Sequence, residues 1–300
     1  MLYSPSEVNL DRLTPTAPPQ FAHTFVHTRG IRLHCVHAAH TAWGGLSDAP
    51  LVLLLHDAAG SWLDFAELIA PLSERGYRVV AVDLRGHGLS DKPPGAYDIR
   101  AIAGELAGLV ATAGASRVNL VGLGAGATIA WAMAAHGKVE VSSIVSIHGG
   151  HPDVVRKELL RRPWRWGRSL FLAAGSHLPF VSHPLVPSIV PATVVRSDFP
   201  PNPTIRTMSF RISATWRPAV QLRRLSTARF PRSDSWRVFP QLPCLFLDVP
   251  ARFAAAHGGA VAYVRGSGRG AQRGCRNPQA RFPEETARII DAFVRTVPTA

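Results

Sequence analysis

Cysteine is scarce in this sequence, which has only Cys35, Cys244 and Cys275 among its 300 residues. An odd number of widely spaced cysteines fits neither a framework of disulfide bonds nor a zinc site. Cys35 and Cys244 lie in apolar, strand-like runs and are expected to be buried. The sequence therefore predicts a reducing, cytoplasmic location, and it indicates no metal site and no cofactor.

Long apolar runs are lacking as well. No run of about 18 apolar residues is present, so we expect no membrane-spanning helix. Residues 1–20 do not have the basic start, apolar stretch and cleavage site of a signal peptide, and their four prolines predict a flexible N-terminal arm. Because 46% of the residues are hydrophobic and only 18% are charged, the composition excludes bulk disorder and allows a full apolar core.

Lysine accounts for only three of the 33 basic residues, and the basic residues are unevenly distributed. Residues 1–150 carry 10 basic and 12 acidic side chains, whereas residues 151–300 carry 23 and 8. A field this asymmetric attracts anionic partners, although a bias toward arginine can also reflect codon composition. A nucleic-acid partner is not expected, because no recognition motif accompanies the charge.

Strand-like and helix-like segments alternate from residue 50 onward, which predicts a mostly parallel eight-stranded sheet with helices on both faces. The unbroken apolar run at 51–56 is typical of a strand buried on both faces. Two segments separated by Arg29 and Gly30 predict an antiparallel hairpin at the sheet edge. The predicted strands are 23–28, 31–38, 51–56, 77–83, 118–121, 143–148, 243–248 and 260–264, and the predicted helices are 61–74, 99–113, 124–136 and 284–296.

The most specific pattern in the chain is "YRVVAVDLRGHGLSDKPPGAYD" at 77–98. A second pattern, "VNLVGLGAGATIAWAMA" at 118–134, has a strand that ends in glycines opening a helix. Together with 53–65, 148–166 and 281–293, these segments resemble the α/β-hydrolase fold, and within it the branch of epoxide hydrolases and dehalogenases, most closely the actinobacterial epoxide-hydrolase-like proteins. The resemblance implies an α/β-hydrolase core at 21–151 and 239–300. It also implies a helical, Arg- and Trp-rich cap at 152–238.

The catalytic positions of the resembled family do not hold catalytic residues here. The nucleophile position is Gly124, which has no side chain and cannot attack a substrate. The histidine position is Arg276 or Arg269, depending on the register, and an arginine cannot act as a base at neutral pH. The acid position is Arg252. We therefore predict that nucleophile, base and acid are all lost.

The oxyanion segment has also changed. The family's histidine remains as His56, but Asp57 follows it, and a carboxylate there would repel the charge that develops in the transition state. His56, Asp57, Leu123 and Ala125 are the predicted oxyanion or ligand-binding residues. The remaining polar cluster, which consists of Asp83, Arg85, His87 and Ser90, lies in a loop that the resemblance makes mainly structural.

Three functions fit these residues. The first is a catalytically silent protein that binds a small hydrophobic or anionic ligand, or a partner, between core and cap; an anion would use the room beside Gly124 and the free helix amides. The second is an active hydrolase of epoxides or esters with a rearranged site, in which Asp57 or His56 activates water. The third is a surface-binding protein whose basic cap contacts anionic membranes. The sequence does not indicate an oligomeric state.

Overall fold

The structure is a computed structural model that describes residues 21–38, 49–57, 60–93, 99–149, 160–161, 164, 242–247, 261–264 and 278–297. Several predictions lie outside these residues. They concern the N-terminal arm, all of the cap except Leu160, Arg161 and Trp164, and the positions of Arg252, Arg269, Cys275 and Arg276.

The described residues contain one eight-stranded sheet, which confirms the predicted sheet. The strands are β1 (Phe21–Thr28), β2 (Ile31–Ala38), β3 (Leu51–Leu55), β4 (Arg78–Val82), β5 (Arg117–Leu123), β6 (Glu140–Ile147), β7 (Cys244–Leu247) and β8 (Val261–Val264). Their spatial order is β1-β2-β4-β3-β5-β6-β7-β8. The pairings β1–β2 and β2–β4 are antiparallel, and all other pairings are parallel.

The predicted hairpin forms the edge of this sheet. Arg29 and Gly30 connect β1 to β2 with φ angles of 47° and 80°. Two successive positive φ values are the mark of the tight turn that best matches the twist of antiparallel strands. The register runs without a break from the Phe21–Ala38 pair to the Thr28–Ile31 pair.

Helices cover both faces of the sheet, as predicted. They are α1 (Ala66–Ser73), α2 (Ile99–Thr112), α3 (Ala125–His136), α4 (Pro278–Arg281) and α5 (Pro283–Val294). Helices α2 and α3 share one apolar core with Leu51, Leu53 and Leu55 of β3, whereas α1 and α5 share the other core with Val52 and Leu54. Strand β3 is therefore buried on both faces, which explains its unbroken apolar sequence.

The segment predicted as one helix at 61–74 is divided in the structure. A 3₁₀ helix at Trp62–Phe65 precedes α1, and Phe65 breaks the helical backbone with φ −120° and ψ 5°. The backbone N–H of Trp62 donates a hydrogen bond to Oδ1 of Asp83 at 2.8 Å, which draws the first turn toward the loop after β4. A contact between residues distant in the chain therefore overrides the local helical pattern. The four-residue helix α4 was not predicted.

Helix α3 lies unusually close to the strands beside it. A Cβ atom added to Gly126 would lie 2.0 Å from the carbonyl oxygen of Leu55, at the end of β3. A Cβ atom added to Gly122 in β5 would lie 2.4 Å from the backbone nitrogen of Ala127. Glycine at these two positions lets the first turn of α3 reach the ends of β3 and β5.

We predict that Gly126→Ala destabilises the protein by roughly 1–3 kcal/mol, because the added methyl group has to displace backbone rather than a side chain. Denaturant unfolding measures the effect. The matched control is Gly104→Ala inside α2, where the added carbon meets only the flexible side chain of Arg29 at 3.3 Å. The control should keep or increase stability, since alanine is the better helix former. Equal losses in the two variants would contradict the close approach of α3.

Candidate functional site at the turn between β5 and α3

The turn between β5 and α3 has the strained geometry of a nucleophile turn. Gly124 is its central residue, with φ 53° and ψ −108°. Its N–H donates a hydrogen bond to the carbonyl oxygen of Ile147 at 2.9 Å, which fixes the turn against the end of β6. A positive φ favours glycine. A nucleophile side chain at this position would strain the backbone, and glycine avoids that strain.

The side chain of Asp57 occupies the space beside Gly124. Its Oδ1 accepts a hydrogen bond from the N–H of Ala125 at 2.8 Å. A Cβ atom on Gly124 would lie 2.2 Å from this oxygen and 2.6 Å from Cγ of Asp57. The expected room beside Gly124 is thus taken by a carboxylate, and the Ala125 amide is not free for an anion. The cause is that the N-terminus of a helix favours negative charge, and Asp57 supplies it from within the chain.

Short backbone contacts hold Asp57 at this position. Its carbonyl oxygen accepts hydrogen bonds from Nδ1 of His56 at 2.6 Å and from the N–H of Gly60 at 2.9 Å. Its own N–H donates to Oδ2 of Asp64 at 3.4 Å. The residue as a whole is nevertheless exposed, so its carboxylate is both fixed in place and accessible to solvent.

Asp64 brings a second carboxyl group to this loop. Burial is the main reason why the pKa of Asp64 is raised to about 8. The negative charge of Asp57 also raises this pKa, and its effect is larger than the lowering by the hydrogen bond from the Asp57 backbone. Asp64 therefore carries a proton at neutral pH. A protonated acid next to a fixed carboxylate is an arrangement that can donate a proton to a reacting group. Asp64 could not be identified from the sequence, since no motif marks its burial.

His56 has a structural role in this geometry. Its Nε2 accepts a hydrogen bond from the N–H of Leu84 at 3.0 Å, and its Nδ1 donates to Asp57. The ring is completely buried. Burial, with the adjacent His87, lowers the pKa of His56 to about 3. Because both ring nitrogens are engaged within the protein, we do not assign His56 to ligand binding or to the activation of water.

The loop after β4 is organised by the buried carboxylate of Asp83. Its Oδ2 accepts hydrogen bonds from Nδ1 of His34 at 2.8 Å and from the N–H of Leu89 at 2.9 Å. Burial alone raises the pKa of Asp83, but the hydrogen bond and charge of His34 outweigh it, and the pKa falls to about 2. In addition, Ser90 donates its hydroxyl to the carbonyl oxygen of Asp83. These contacts are structural, in agreement with the role expected for the loop.

A second polar chain extends from Asp83 to the edge of the sheet. Nε2 of His34 lies 2.9 Å from Nδ1 of His23, which also packs edge-on against Trp62. Burial is the main reason why the pKa of His23 is lowered to about 4, and the neighbouring His34 adds to it. Nearby, Arg85 forms a buried ion pair with Glu105 at 2.6 Å, which joins the same loop to α2.

The other predicted site residues have different positions. Leu123 is the last residue of β5, and its side chain packs in the apolar core shared with α1 and α5. Ala125 contributes its backbone N–H, as described above. His148, which was not a predicted site residue, follows β6 with a positive φ of 53°, and its N–H donates to the carbonyl oxygen of Leu247 at 3.2 Å. The structure thus brings together Gly124, Ala125 and Asp57.

The chain is similar to known α/β hydrolases in sequence and in fold. Residues 50–179 match the family model of the alpha/beta hydrolase fold. The chain is 33% identical to the AB hydrolase superfamily protein YfhM of Bacillus subtilis over 151 residues, which are 50% of this chain and 51% of that protein. It is 38% identical to epoxide hydrolase B of Mycobacterium tuberculosis over 114 residues, which are 37% of this chain and 31% of that protein.

The solved structure of epoxide hydrolase A from Mycobacterium thermoresistibile superimposes with a TM-score of 0.68 at 20% identity, covering 93% of this chain and 99% of that one. The chain has the α/β-hydrolase fold, and in its matched part it is similar to epoxide hydrolases. Its matches span about half the length of the first curated relative above and about a third of the second. The residues that match the family model, 50–179, include Gly124, so the missing side chain lies within the matched part of the chain.

Three residues of the predicted cap are described, and two of them expose apolar side chains. Leu160 and Trp164 have exposed fractions of 71% and 72%. Exposed leucine and tryptophan next to Arg161 are residue types that suit an anionic membrane interface. Within the described residues, no helix is both long and apolar enough to span a membrane. Contact of the cap with an anionic membrane surface stays a prediction.

We predict that Gly124→Ala is more destabilising with Asp57 present than in an Asp57→Ala background. The added Cβ both strains the backbone, at about 1–3 kcal/mol, and collides with the Asp57 carboxylate. Urea unfolding of the four proteins of this cycle should give a coupling of about 0.5–3 kcal/mol. Gly76→Ala measures the strain alone, since φ is 91° and nothing lies within 4 Å of its added Cβ. An equal cost of Gly124→Ala in both backgrounds would mean that Asp57 does not fill this space.

We also predict that the protein loses stability in acid because of His23. Its pKa is about 4 in the folded state and about 6.5 when unfolded, so unfolding takes up a proton and stability falls as the pH drops from 6.5 toward 4. His23→Gln should reduce this loss by roughly 1–3 kcal/mol. The exposed His27 on the same strand provides the control, His27→Gln. Asp64 acts in the opposite direction because its pKa is raised, so the test compares variants with the wild type at each pH. Parallel curves for His23→Gln and wild type would refute the prediction.

Proposed function

We propose that the protein uses the α/β-hydrolase scaffold to bind a small ligand between core and cap without hydrolysing it. The observation that carries the proposal is the hydrogen bond from the Ala125 N–H to the Asp57 carboxylate at 2.8 Å. This contact takes both the place of the nucleophile side chain and the amide that would stabilise an oxyanion. The protein keeps the fold of a hydrolase but fills the position at which its chemistry would begin.

The missing nucleophile and the charge of Asp57 both oppose hydrolysis at this turn. Acyl transfer and ring opening both need a nucleophile, and a nucleophile at position 124 would need a side chain. The transition state of acyl transfer also places negative charge near the first amides of the helix after the nucleophile. In this protein such a charge would meet the Asp57 carboxylate at the Ala125 amide. Displacing Asp57 would break this hydrogen bond, a cost that the exposed carboxylate recovers in part from water.

Asp57 also changes the class of ligand that suits the site. An anionic ligand was one expectation from the sequence, because free helix amides attract anions. With Asp57 bound to Ala125, a second anion would be repelled. We therefore propose a small hydrophobic ligand that is uncharged or carries a hydrogen-bond donor or a positive group toward Asp57.

A second candidate function is supported by the exposure of Asp57 and the proton on Asp64. One oxygen of Asp57 attacks a ring carbon of an epoxide, the carbon–oxygen bond of the ring breaks, and the released alkoxide takes the proton of Asp64. The product is a hydroxyalkyl ester of Asp57. Water then adds to the ester carbonyl, the diol leaves, Asp57 returns to a carboxylate, and Asp64 recovers its proton. The rearranged hydrolase expected from the sequence had Asp57 or His56 activate water; in this candidate Asp57 is the nucleophile instead, and His56 takes no part.

Turnover and intact mass after incubation with styrene oxide or a p-nitrophenyl ester separate the two candidates. We expect no product above background and no increase in mass, because Asp57 is held at the helix N-terminus and the usual nucleophile is absent. Product, or a mass increase located on Asp57, that disappears in Asp57→Asn but persists in Glu140→Gln would overturn the silent function in favour of the second candidate. Glu140 is the matched control because its carboxylate is exposed on β6 and pairs with Arg117.

A further inference from the structure

A large cavity lies at the amino ends of the strands, at the opposite end of the sheet from the turn at Gly124. Its volume is about 800 Å³, within the range of roughly 300–1,000 Å³ typical of small-molecule sites. It lies at the amino ends of β3, β4 and β5 and at the carboxyl end of α5, whereas the turn at Gly124 lies at the carboxyl ends of the strands. The proposed function makes no use of this cavity.

Four arginines line the cavity, and three of them have carboxylate partners. Arg75 pairs with Glu284 at 3.1 Å and Arg295 pairs with Asp291 at 2.7 Å. The third pair joins Arg117 to Glu140 at 3.0 Å. The charges of these three arginines are therefore balanced within the protein.

Arg78, the first residue of β4, is different. Only 9% of its surface is exposed. Among the described residues no carboxylate lies within 4.0 Å of its guanidinium group, and its side chain donates its hydrogen bond to the carbonyl oxygen of Ala113. A buried cation without a counter-ion is costly, and one hydrogen bond to a neutral carbonyl uses only part of the donors of a guanidinium.

A bound oxyanion would supply what Arg78 lacks. Carboxylates and phosphates accept two parallel hydrogen bonds from a guanidinium, and such charge-assisted pairs are stronger than hydrogen bonds to neutral groups. The cavity wall also contains the serine hydroxyls of Ser116 and Ser142, which can donate to such an anion. Apolar atoms of Pro50, Leu51 and Val294 line the same space.

We propose that this cavity is a binding site for a small organic anion whose carboxylate or phosphate pairs with Arg78 and whose apolar part contacts Pro50, Leu51 and Val294. A site at the amino ends of the strands is separate from the turn at Gly124. Ligand binding here is therefore independent of whether the protein hydrolyses a substrate.

The test is the melting temperature at fixed ionic strength with four probes, namely benzoate, phenyl phosphate, inorganic phosphate and benzyl alcohol. Benzoate or phenyl phosphate should raise the melting temperature in a saturable way, because a ligand that binds only the folded state stabilises it. The stronger of the two identifies the charged group. Inorganic phosphate should bind more weakly, since it lacks the apolar part, and benzyl alcohol should have no effect. Equal stabilisation by benzyl alcohol, or none by either aromatic anion, would overturn the proposal.

Variants locate the site. Arg78→Met should weaken binding of the aromatic anion by about tenfold or more, since a charged hydrogen-bond pair is lost. Arg288→Met is the control, because Arg288 is exposed on α5 and pairs with Glu285 at 3.8 Å. Unchanged affinity in Arg78→Met would place the anion elsewhere and refute the proposal.

A second pair of variants covers the case in which Arg78→Met fails to fold. Ser116 is exposed at the cavity wall, so a substitution there leaves the core intact. Ser116→Glu should weaken anion binding through repulsion, whereas the neutral Ser116→Gln, which is nearly the same size, should weaken it much less. Equal affinity of the Glu and Gln variants would contradict a site for an anion in this cavity.

Discussion

The close approach of α3 to the ends of β3 and β5 is the constraint on which the site depends. At Gly126 and Gly122 the backbones are so near that a Cβ atom would lie 2.0 Å and 2.4 Å from neighbouring backbone atoms. The chain can enter the helix at this distance only through a sharp turn, and Gly124 makes it with a positive φ. Because α3 lies so close, the N–H of Ala125 is near the loop that follows β3 and can bind Asp57.

From this constraint it follows that positions 57 and 124 share one space. The Asp57 carboxylate lies 2.2 Å from where a Cβ of residue 124 would be, so a side chain at 124 and the present conformation of Asp57 exclude each other. Glycine at 124 and the present conformation of Asp57 therefore depend on each other. The negative charge of Asp57 stabilises the N-terminus of α3, and the absence of a Cβ at 124 makes room for it.

Much of the fold could be predicted from the sequence, because its signals are local. The apolar run of β3 and the Arg29–Gly30 turn each depend on neighbouring residues, and both predictions are confirmed. The single helix predicted at 61–74 is divided at Phe65 into a 3₁₀ turn and α1, and the 3₁₀ turn, which contains Trp62, is bound to Asp83, 21 residues away. The position of the Asp57 carboxylate beside Gly124 was also missed because it depends on a long-range contact, which joins Asp57 to Ala125, 68 positions apart. Local patterns contain no information on which side chain occupies a space made by three separate segments.

The two edges of the sheet therefore differ in the ligands that they suit. At the carboxyl edge, the helix amide that attracts anions is satisfied by Asp57, and Asp64 adds a second carboxyl group beside it. At the amino edge, Arg78 is buried without a carboxylate among the described residues. A carboxyl-lined edge disfavours an anion and an unbalanced guanidinium favours one. Among the described residues, the anionic ligand that the basic composition suggests is therefore better suited to the amino edge than to the carboxyl edge, and binding there would leave the nucleophile turn unchanged.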